Sequence, residues 1–229
     1  MKRFYTAVTV APVEGGFGLL LDGRPVKTPG RATLSAPSGA LAEAIAAEWE
    51  RQGETIAPRT MPLTGLANAA IDRIAPDPAT FAAGLARYGE TDLLCYRADG
   101  PPSLVARQAE LWDPPLIWAR GRYDVEFKVA RGIVHVPQPA ATVERLARTV
   151  AARDVFALAG LSPLVTVSGS LILALAVAER AITAEEAWAA ASLEDRWQAE
   201  KWGADSEAAQ ALAARHADFA AGARLLTLL

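Results

Sequence analysis

Few side chains in this sequence have the types and spacing that enzyme chemistry requires. The two histidines, His135 and His216, lie in unrelated contexts without a ligand partner at helical spacing, so no metal site is predicted. Ser168 lies in an apolar segment instead of the sharp turn that exposes a nucleophilic serine. The single cysteine, Cys95, has no catalytic motif around it and predicts a small buried side chain. We therefore predict no catalytic residue, cofactor or metal; the alternative is a small hydrolase or transferase that uses Cys95 or Ser168.

Adjacent carboxylates and clustered glycines do not change this prediction. Glu185 and Glu186, like Glu194 and Asp195, are consecutive in predicted helices, where neighbouring side chains point in different directions and cannot form one catalytic pair. The glycines between residues 15 and 18 lie between two predicted strands with no helix after them. They therefore lack the N–H donors of a phosphate site and indicate a hairpin turn.

The stretch from residue 193 to 207, LEDRWQAEKWGADSE, is the strongest candidate for binding. At about 100° per residue, one stripe of such a helix carries four polar residues, Glu194, Gln198, Lys201 and Asp205. Trp197 and Trp202 flank this stripe. Aromatic rings beside charges are typical of protein-binding surfaces, because rings supply rigid apolar area and charges fix the register. The alternative is a solvated face of ion pairs over two core tryptophans.

Composition excludes several other classes of protein. With 229 residues, 52% hydrophobic and 21% charged, the chain has the composition of a soluble globular protein. Its net charge is −3 and no Lys/Arg cluster is interleaved with aromatic residues, so nucleic acid is not an expected partner. One cysteine cannot form an internal disulfide and suits a reducing compartment. The alternating N-terminus, MKRFYTAVTV, lacks a secretory signal, which favours a cytoplasmic protein of a bacterium.

Two regions with different periodicity are predicted. Residues 3–35 alternate in hydrophobicity between turn signals, which predicts three or four short antiparallel strands. An amphipathic helix follows, with Ser38 as its N-cap, and residues 56–62 read as an extended proline-containing connection. We therefore predict an N-terminal antiparallel β domain with one packed helix over residues 1–60, followed by a larger all-helical domain over residues 61–229.

Within the second region, one stretch alternates and one is continuously apolar. Residues 125–136 predict a short hairpin or extended arm, and a strand here could return to the first domain's sheet. Residues 159–178 reach the threshold of ~18 apolar residues for a membrane span. Serines and threonines dilute this run and no basic cluster flanks it, so we predict one buried central helix. The alternative is a membrane-associated scaffold.

The last two predicted helices carry recognisable ends. Thr183 and Glu186 have capping-box spacing, so one helix should run from there through residue 202. Gly203 should end this helix, with Asp205 or Ser206 capping the last one, unless a single helix runs through Gly203. Pro114 and Pro115 should break or kink an earlier helix.

Four stretches together resemble the family of assembly chaperones that handle the alpha subunit of the F-type ATP synthase catalytic head. They occur in the family's order: PRTMPLTGLANAAID (58–72), YGETDLLCYRA with RQAELWDPPLIWA (88–119), GLSPLVTVSGSLILALA (160–176) and LEDRWQAEKWG (193–203). The GRPVKTP hairpin (23–29) adds a weaker match. The resemblance implies the same α+β division: a small antiparallel β-sheet domain with a helix, then a larger all-α domain.

The resemblance also implies a function. Members bind the unassembled alpha subunit without a nucleotide or other cofactor and shield its subunit interface until the beta subunit replaces them. It implies an important acidic residue upstream of Lys-Trp-Gly, best matched by Glu194, with Asp195 as the neighbouring choice. We expect a monomer without membrane insertion. The residues predicted to bind the partner are Glu194, Asp195, Gln198, Lys201, Trp202 and Asp205.

Overall fold

A computed structural model describes residues 1–132, 134–203 and 205–229. The chain forms two compact units. The first comprises Met1–Pro78, Asp154–Gly160 and Arg224–Leu229, and the second comprises Ala79–Arg153 and Leu161–Ala223. The α+β class predicted from the sequence is confirmed. The division into domains at residue 60 stays a prediction, because a compact unit is not shown to fold alone.

The first unit is built on a four-stranded antiparallel sheet. Its strands are β1 (Val8–Val13), β2 (Gly16–Leu21), β3 (Arg24–Pro25) and β4 (Ser35–Ala36). β2 pairs with β1 along its whole length and with β3 and β4 on its other edge. Gly16 has φ +153°, and a Cβ there would lie 2.2 Å from the Ala36 carbonyl oxygen. The predicted hairpin glycines are therefore required by backbone conformation and by close pairing.

One helix and its neighbour pack on this sheet. In α1 (Gly39–Glu50), the Ser38 side chain accepts a hydrogen bond from the Leu41 N–H at 3.1 Å, as the predicted N-cap should. Glu48, which is 1% exposed, accepts 2.8 Å bonds from the N–H groups of Leu63 and Thr64 at the start of α2 (Pro62–Ala69). A buried carboxylate thereby satisfies the unpaired donors of a helix N-terminus.

The connection between these helices differs from the prediction. Pro58–Thr60 form a 3-10 turn, and Pro62 opens α2. The residues before the two prolines are non-helical as expected, but each proline itself begins a helical turn, because its φ suits that position. α2 continues as a π turn, Ala70–Ile74, from which the Asp72 carboxylate accepts bonds from Thr28 Oγ1 and the Gly30 N–H, both at 2.7 Å.

The second unit is mainly helical. Its helices, some of which extend into the first unit, are α3 (Pro78–Ala86), α4 (Pro102–Tyr123), α5 (Ala140–Ala151), α6 (Val155–Ser168), α7 (Leu171–Ala178), α8 (Ala184–Ala191), α9 (Leu193–Trp202) and α10 (Ser206–Thr227). Short 3-10 turns cover Arg87–Gly89 and Leu93–Cys95. α4 continues through Pro114 and Pro115, contrary to the predicted break. Buried residues on both sides of the prolines, Trp112 and Leu116, hold the two parts of the helix against the core.

Residues 125–136 do not pair with the N-terminal sheet where the structure describes them. β6 (Ala130–Arg131) pairs in parallel with β5 (Tyr96–Arg97), inside the second unit. This two-residue pairing is a small departure from the all-helical domain that the sequence predicted. Ile133 lies outside the described residues.

The apolar run forms two helices instead of one. α6 ends at Ser168, Gly169 has φ +70°, and Ser170 caps α7 by accepting a bond from the Leu173 N–H at 3.0 Å. The predicted burial is confirmed for α7, since Leu171–Ala176 are all inaccessible to solvent, whereas Thr166 of α6 is exposed. Among the described residues, no helix combines the length and apolar character needed to cross a membrane.

The predicted single helix from residue 184 to 202 is interrupted at Ser192. The capping box at Thr183 and Glu186 is confirmed and begins α8. The buried Ser192 hydroxyl donates a 2.7 Å bond to the Trp188 carbonyl, four residues back, and a new helix, α9, begins at Leu193. Such bonds from serine compete with regular helix geometry, which explains the turn.

Candidate functional site

α9 is a surface helix anchored along one side only. Leu193 and Trp197 are 4% and 7% exposed, whereas Trp202 is 75% exposed and meets the Trp197 ring edge-on, with 5.6 Å between centroids. The alternative of two core tryptophans is therefore wrong for Trp202. Gly203, with φ +90°, ends the helix as predicted.

Beside α9 lies a groove of about 460 Å³ that it forms with α10. Four of the six predicted partner-binding residues line it: Asp195, Gln198, Trp202 and Asp205. Small apolar side chains of both helices, among them Ala199, Ala208, Ala211 and Leu212, complete the wall. We call this feature the α9–α10 groove. It combines an exposed aromatic ring, an apolar lining and a charged rim, as protein-binding sites do.

Side chains at the rim of the α9–α10 groove hold its two helices together. Arg215 Nη1 lies 3.1 Å from the Asp195 carboxylate, and its Nη2 donates to the Val167 carbonyl at 3.2 Å. Asp205 accepts a 3.1 Å bond from the Glu207 N–H and so caps α10, one of the two caps predicted. Sequence reasoning missed Arg215, because its partner lies 20 residues away and periodicity carries no information about such pairs.

The other two predicted residues do not line the groove. Glu194 accepts a 2.7 Å bond from Gln108 of α4, and Lys201 Nζ lies 5.8 Å from the Trp197 ring centroid. The residues predicted to bind the partner are thus divided, with Glu194 held by α4 and Asp195 held by α10. Asp205 lies beyond the end of α9, so it belongs to the groove but not to a helical stripe.

Comparison with known proteins identifies the family. The family described as ATP12 chaperone protein matches residues 2–120, more than half of the chain. The chain belongs to the ATP12 chaperone family. The crystal structure of Atp12 from Paracoccus denitrificans is 44% identical, with a TM-score of 0.95, over 99% of this chain and 97% of that one.

Two further relatives agree with this assignment. A putative chaperone from Agrobacterium tumefaciens, Atu1473, is 45% identical with a TM-score of 0.94, covering 99% of this chain and 85% of that one. Protein atp12, mitochondrial, from Schizosaccharomyces pombe is 26% identical over 219 residues, which are 90% of this chain and 75% of the relative. The resemblance drawn from the sequence motifs is confirmed, and the function is that of a non-catalytic chaperone.

The environments of Cys95 and Ser168 agree with a non-catalytic ATP12 protein. Cys95 is 1% exposed, and burial, with a smaller effect of the Asp92 charge, raises the pKa of its thiol to about 12. It is therefore protonated at neutral pH and inert as a nucleophile. Ser168 is buried and its hydroxyl donates to the Leu164 carbonyl. In the described part of the chain, no three His, Cys, Asp or Glu side chains are grouped to hold a metal.

A buried carboxylate that the sequence did not reveal joins two motif stretches. Asp92 is fully buried and accepts bonds from Ser170 Oγ at 2.8 Å and from the N–H groups of Leu94 and Ile172 at 3.1 and 3.0 Å. Burial raises its pKa to about 6, although these hydrogen bonds favour the charged form. Asp92 caps the start of α7, so its role is structural.

Proposed function

We propose that this ATP12-family protein is an assembly chaperone of the F-type ATP synthase that binds the unassembled alpha subunit of the catalytic head. Its client-binding surface comprises the α9–α10 groove with Glu194 and Lys201. The observation that carries the proposal is the placement of Trp202: it is 75% exposed, and three other predicted residues line the same groove. A large ring left in water is the kind of residue that anchors protein–protein interfaces.

The physical role follows from what a free subunit exposes. A subunit interface is apolar at its centre, so an unassembled alpha subunit tends to associate with other copies. A chaperone that covers the interface lowers the concentration of the aggregating species by mass action. In this proposal the beta subunit displaces the chaperone as the catalytic head assembles. We infer that the protein acts as a monomer in the bacterial cytoplasm.

The surface around the groove favours a protein client. The first part of α10, residues 206–218, is exposed at every position except Leu212, which is half-buried. The small alanine side chains on this face let a partner approach the helix closely. Asp195, Asp205 and Arg215 place charges of both signs at the rim. Mixed charge around an apolar lining sets the register of a protein partner, whereas a phosphate or nucleic-acid ligand requires a uniformly basic surface.

Capture of the alpha subunit tests the proposal. The tagged protein is co-expressed with the alpha subunit and, separately, purified protein is mixed with assembled catalytic head. We expect the free alpha subunit to co-purify in about equimolar amount and the assembled head not to bind. Absence of alpha subunit from the eluate, with soluble alpha subunit in the lysate, contradicts the proposal. A dimer of the chaperone alone that Trp202→Ala dissociates would instead assign the groove to self-association.

A further inference from the structure

Gln108, in the middle of α4, is a buried amide whose two ends both form hydrogen bonds. Its side chain is inaccessible to solvent. Oε1 accepts a 2.9 Å bond from the Ala98 N–H, and Nε2 donates a 2.7 Å bond to Glu194 Oε1. The first bond fixes the amide orientation, so the second donor points at Glu194. Burying a glutamine costs free energy that both hydrogen bonds must offset.

Glu194 differs from the other acidic residues that join the motif stretches. Asp72 is half-buried and binds the 28–30 loop, and Asp92 is fully buried under α7. Glu194 is also held by another motif stretch, yet its side chain is exposed. Among the described residues, none forms a hydrogen bond to Glu194 Oε2. One carboxylate oxygen is therefore fixed, on a side chain that is exposed as a whole.

The chemical type of the residue that holds Glu194 matters. An arginine or lysine at position 108 would fix the carboxylate but would also neutralise it. A glutamine supplies a directed N–H donor and leaves the full negative charge. Elsewhere on α9 the acids are paired with cations: Glu200 with Arg107 at 2.6 Å, and Asp195 with Arg215 at 3.1 Å. Glu194 is thus a charge that is oriented but not compensated.

We propose that Gln108 is a positioning residue for client binding: it holds the Glu194 carboxylate in one orientation with its charge intact, for a basic group of the client. This inference rests on the proposed function. A fixed carboxylate binds a cation more tightly than a mobile one, because no side-chain entropy is lost on binding. The competing explanation is that the bond only fastens α9 to α4.

A double-mutant cycle separates the two explanations. The dissociation constant of the alpha subunit is measured for the wild type, Gln108→Met, Glu194→Gln and the double variant. Methionine keeps the length and flexibility of the side chain but removes the donor. With Glu194 present, we expect Gln108→Met to weaken capture about 5- to 30-fold, because the client must then order a glutamate side chain that is already fixed in the wild type. In the Glu194→Gln background, Gln108→Met should raise the dissociation constant by less than about 2-fold.

A matched control tests whether fastening α9 suffices. Arg107→Met removes the neighbouring bond between α4 and α9, that to Glu200, without touching Glu194. We expect it to leave capture within about 2-fold, since exposed ion pairs contribute little. Equal losses from Gln108→Met in both backgrounds, or no loss in either, overturn the proposal. So does an Arg107→Met loss as large as that of Gln108→Met.

A measurement without client keeps the inference separate from the proposed function. The side-chain scalar couplings of Glu194 report its rotamers in the free protein. One rotamer in the wild type and averaged couplings in Gln108→Met are expected. Unchanged couplings overturn the positioning role even if the alpha subunit binds. If the alpha subunit does not bind wild-type protein at all, the proposed function fails, and the couplings still show whether Gln108 orients Glu194.

Discussion

Replacing Trp202 with alanine should remove most of the client affinity and leave the free protein folded. An aromatic side chain buries up to about 250 Å² in an interface. Trp202 is already one quarter buried, so about 190 Å² remains to be covered by a client. At about 25 cal/mol per Å² this area corresponds to at most about 5 kcal/mol.

The expected loss is smaller than this upper limit. Side-chain ordering and imperfect packing reduce the gain, and truncation of tryptophan anchors typically costs about 2 kcal/mol or more. We therefore expect the dissociation constant of the alpha subunit to rise at least about 30-fold. The free protein loses only the edge-on contact with Trp197, worth about 1 kcal/mol, so its melting temperature should change by a few degrees at most.

Calorimetry or biolayer interferometry with refolded alpha subunit measures this effect. Trp202→Phe should retain part of the affinity, because a smaller ring still fills the groove. Phe4→Ala is the matched control: Phe4 is 63% exposed, does not line the α9–α10 groove and belongs to the first unit. A Trp202→Ala protein that binds as tightly as the wild type, or one that loses no more than Phe4→Ala, would refute the assignment of this groove.

Three further predictions concern stability, and urea unfolding checks each. The folded-state pKa of Asp92, about 6, exceeds the unfolded value of 3.8, so the stability it contributes is complete below about pH 4 and is lost as the pH rises through 6. The difference in unfolding free energy between the wild type and Asp92→Asn should therefore shrink by up to about 3 kcal/mol from pH 4 to 7, and a pH-independent difference contradicts this. Glu48→Ala should lower the free energy of unfolding by about 2 to 4 kcal/mol, because it leaves the N–H groups of Leu63 and Thr64 buried without a partner. As a control, the exposed Glu50→Ala should lower it by less than about 0.5 kcal/mol. Gly16→Ala should lower the free energy of unfolding by more than about 2 kcal/mol, because Gly16 has φ +153° and the new Cβ would lie 2.2 Å from the Ala36 carbonyl oxygen. Gly53→Ala should change the free energy of unfolding little, because no atom lies within 4 Å of its Cβ.

Local signals in the sequence were sufficient for the elements whose ends are set by nearby residues. The hairpin glycines, the Ser38 cap and the Thr183–Glu186 capping box all act within four residues, and all were predicted. The failures at Ser192 and in the apolar run have a different cause. There, the pattern of apolar residues favours a continuous helix, and a serine hydroxyl or a glycine with positive φ ends the helix in the packed protein.

The sequence singled out α9 as the candidate site, but it predicted neither the contribution of Arg215 nor the shape of the groove. Periodicity placed Glu194, Gln198 and Lys201 on one helical stripe, and these positions are exposed. It could not show that α10 would form a groove with α9, or that Trp202 and Trp197 would differ in burial. Both facts depend on contacts between residues distant in sequence. Gly203 ends α9 as the sequence predicted. The position of this helix end did not indicate that α9 and α10 would form a groove.

The motif stretches that carry the family resemblance bind one another in pairs. The 58–72 stretch binds the GRPVKTP hairpin through Asp72, the 88–98 stretch binds the apolar run through Asp92, and the 107–119 stretch binds LEDRWQAEKWG through Gln108. Each pair joins segments that are distant in sequence by a buried or half-buried polar side chain. The main role of Asp72, Asp92 and Gln108 is therefore to stabilise the fold, because a buried polar group without a partner lowers the free energy of unfolding. In the third pair the joined carboxylate, that of Glu194, belongs to an exposed side chain, so in the proposed function the same residue both holds α9 to α4 and presents a charge to a client.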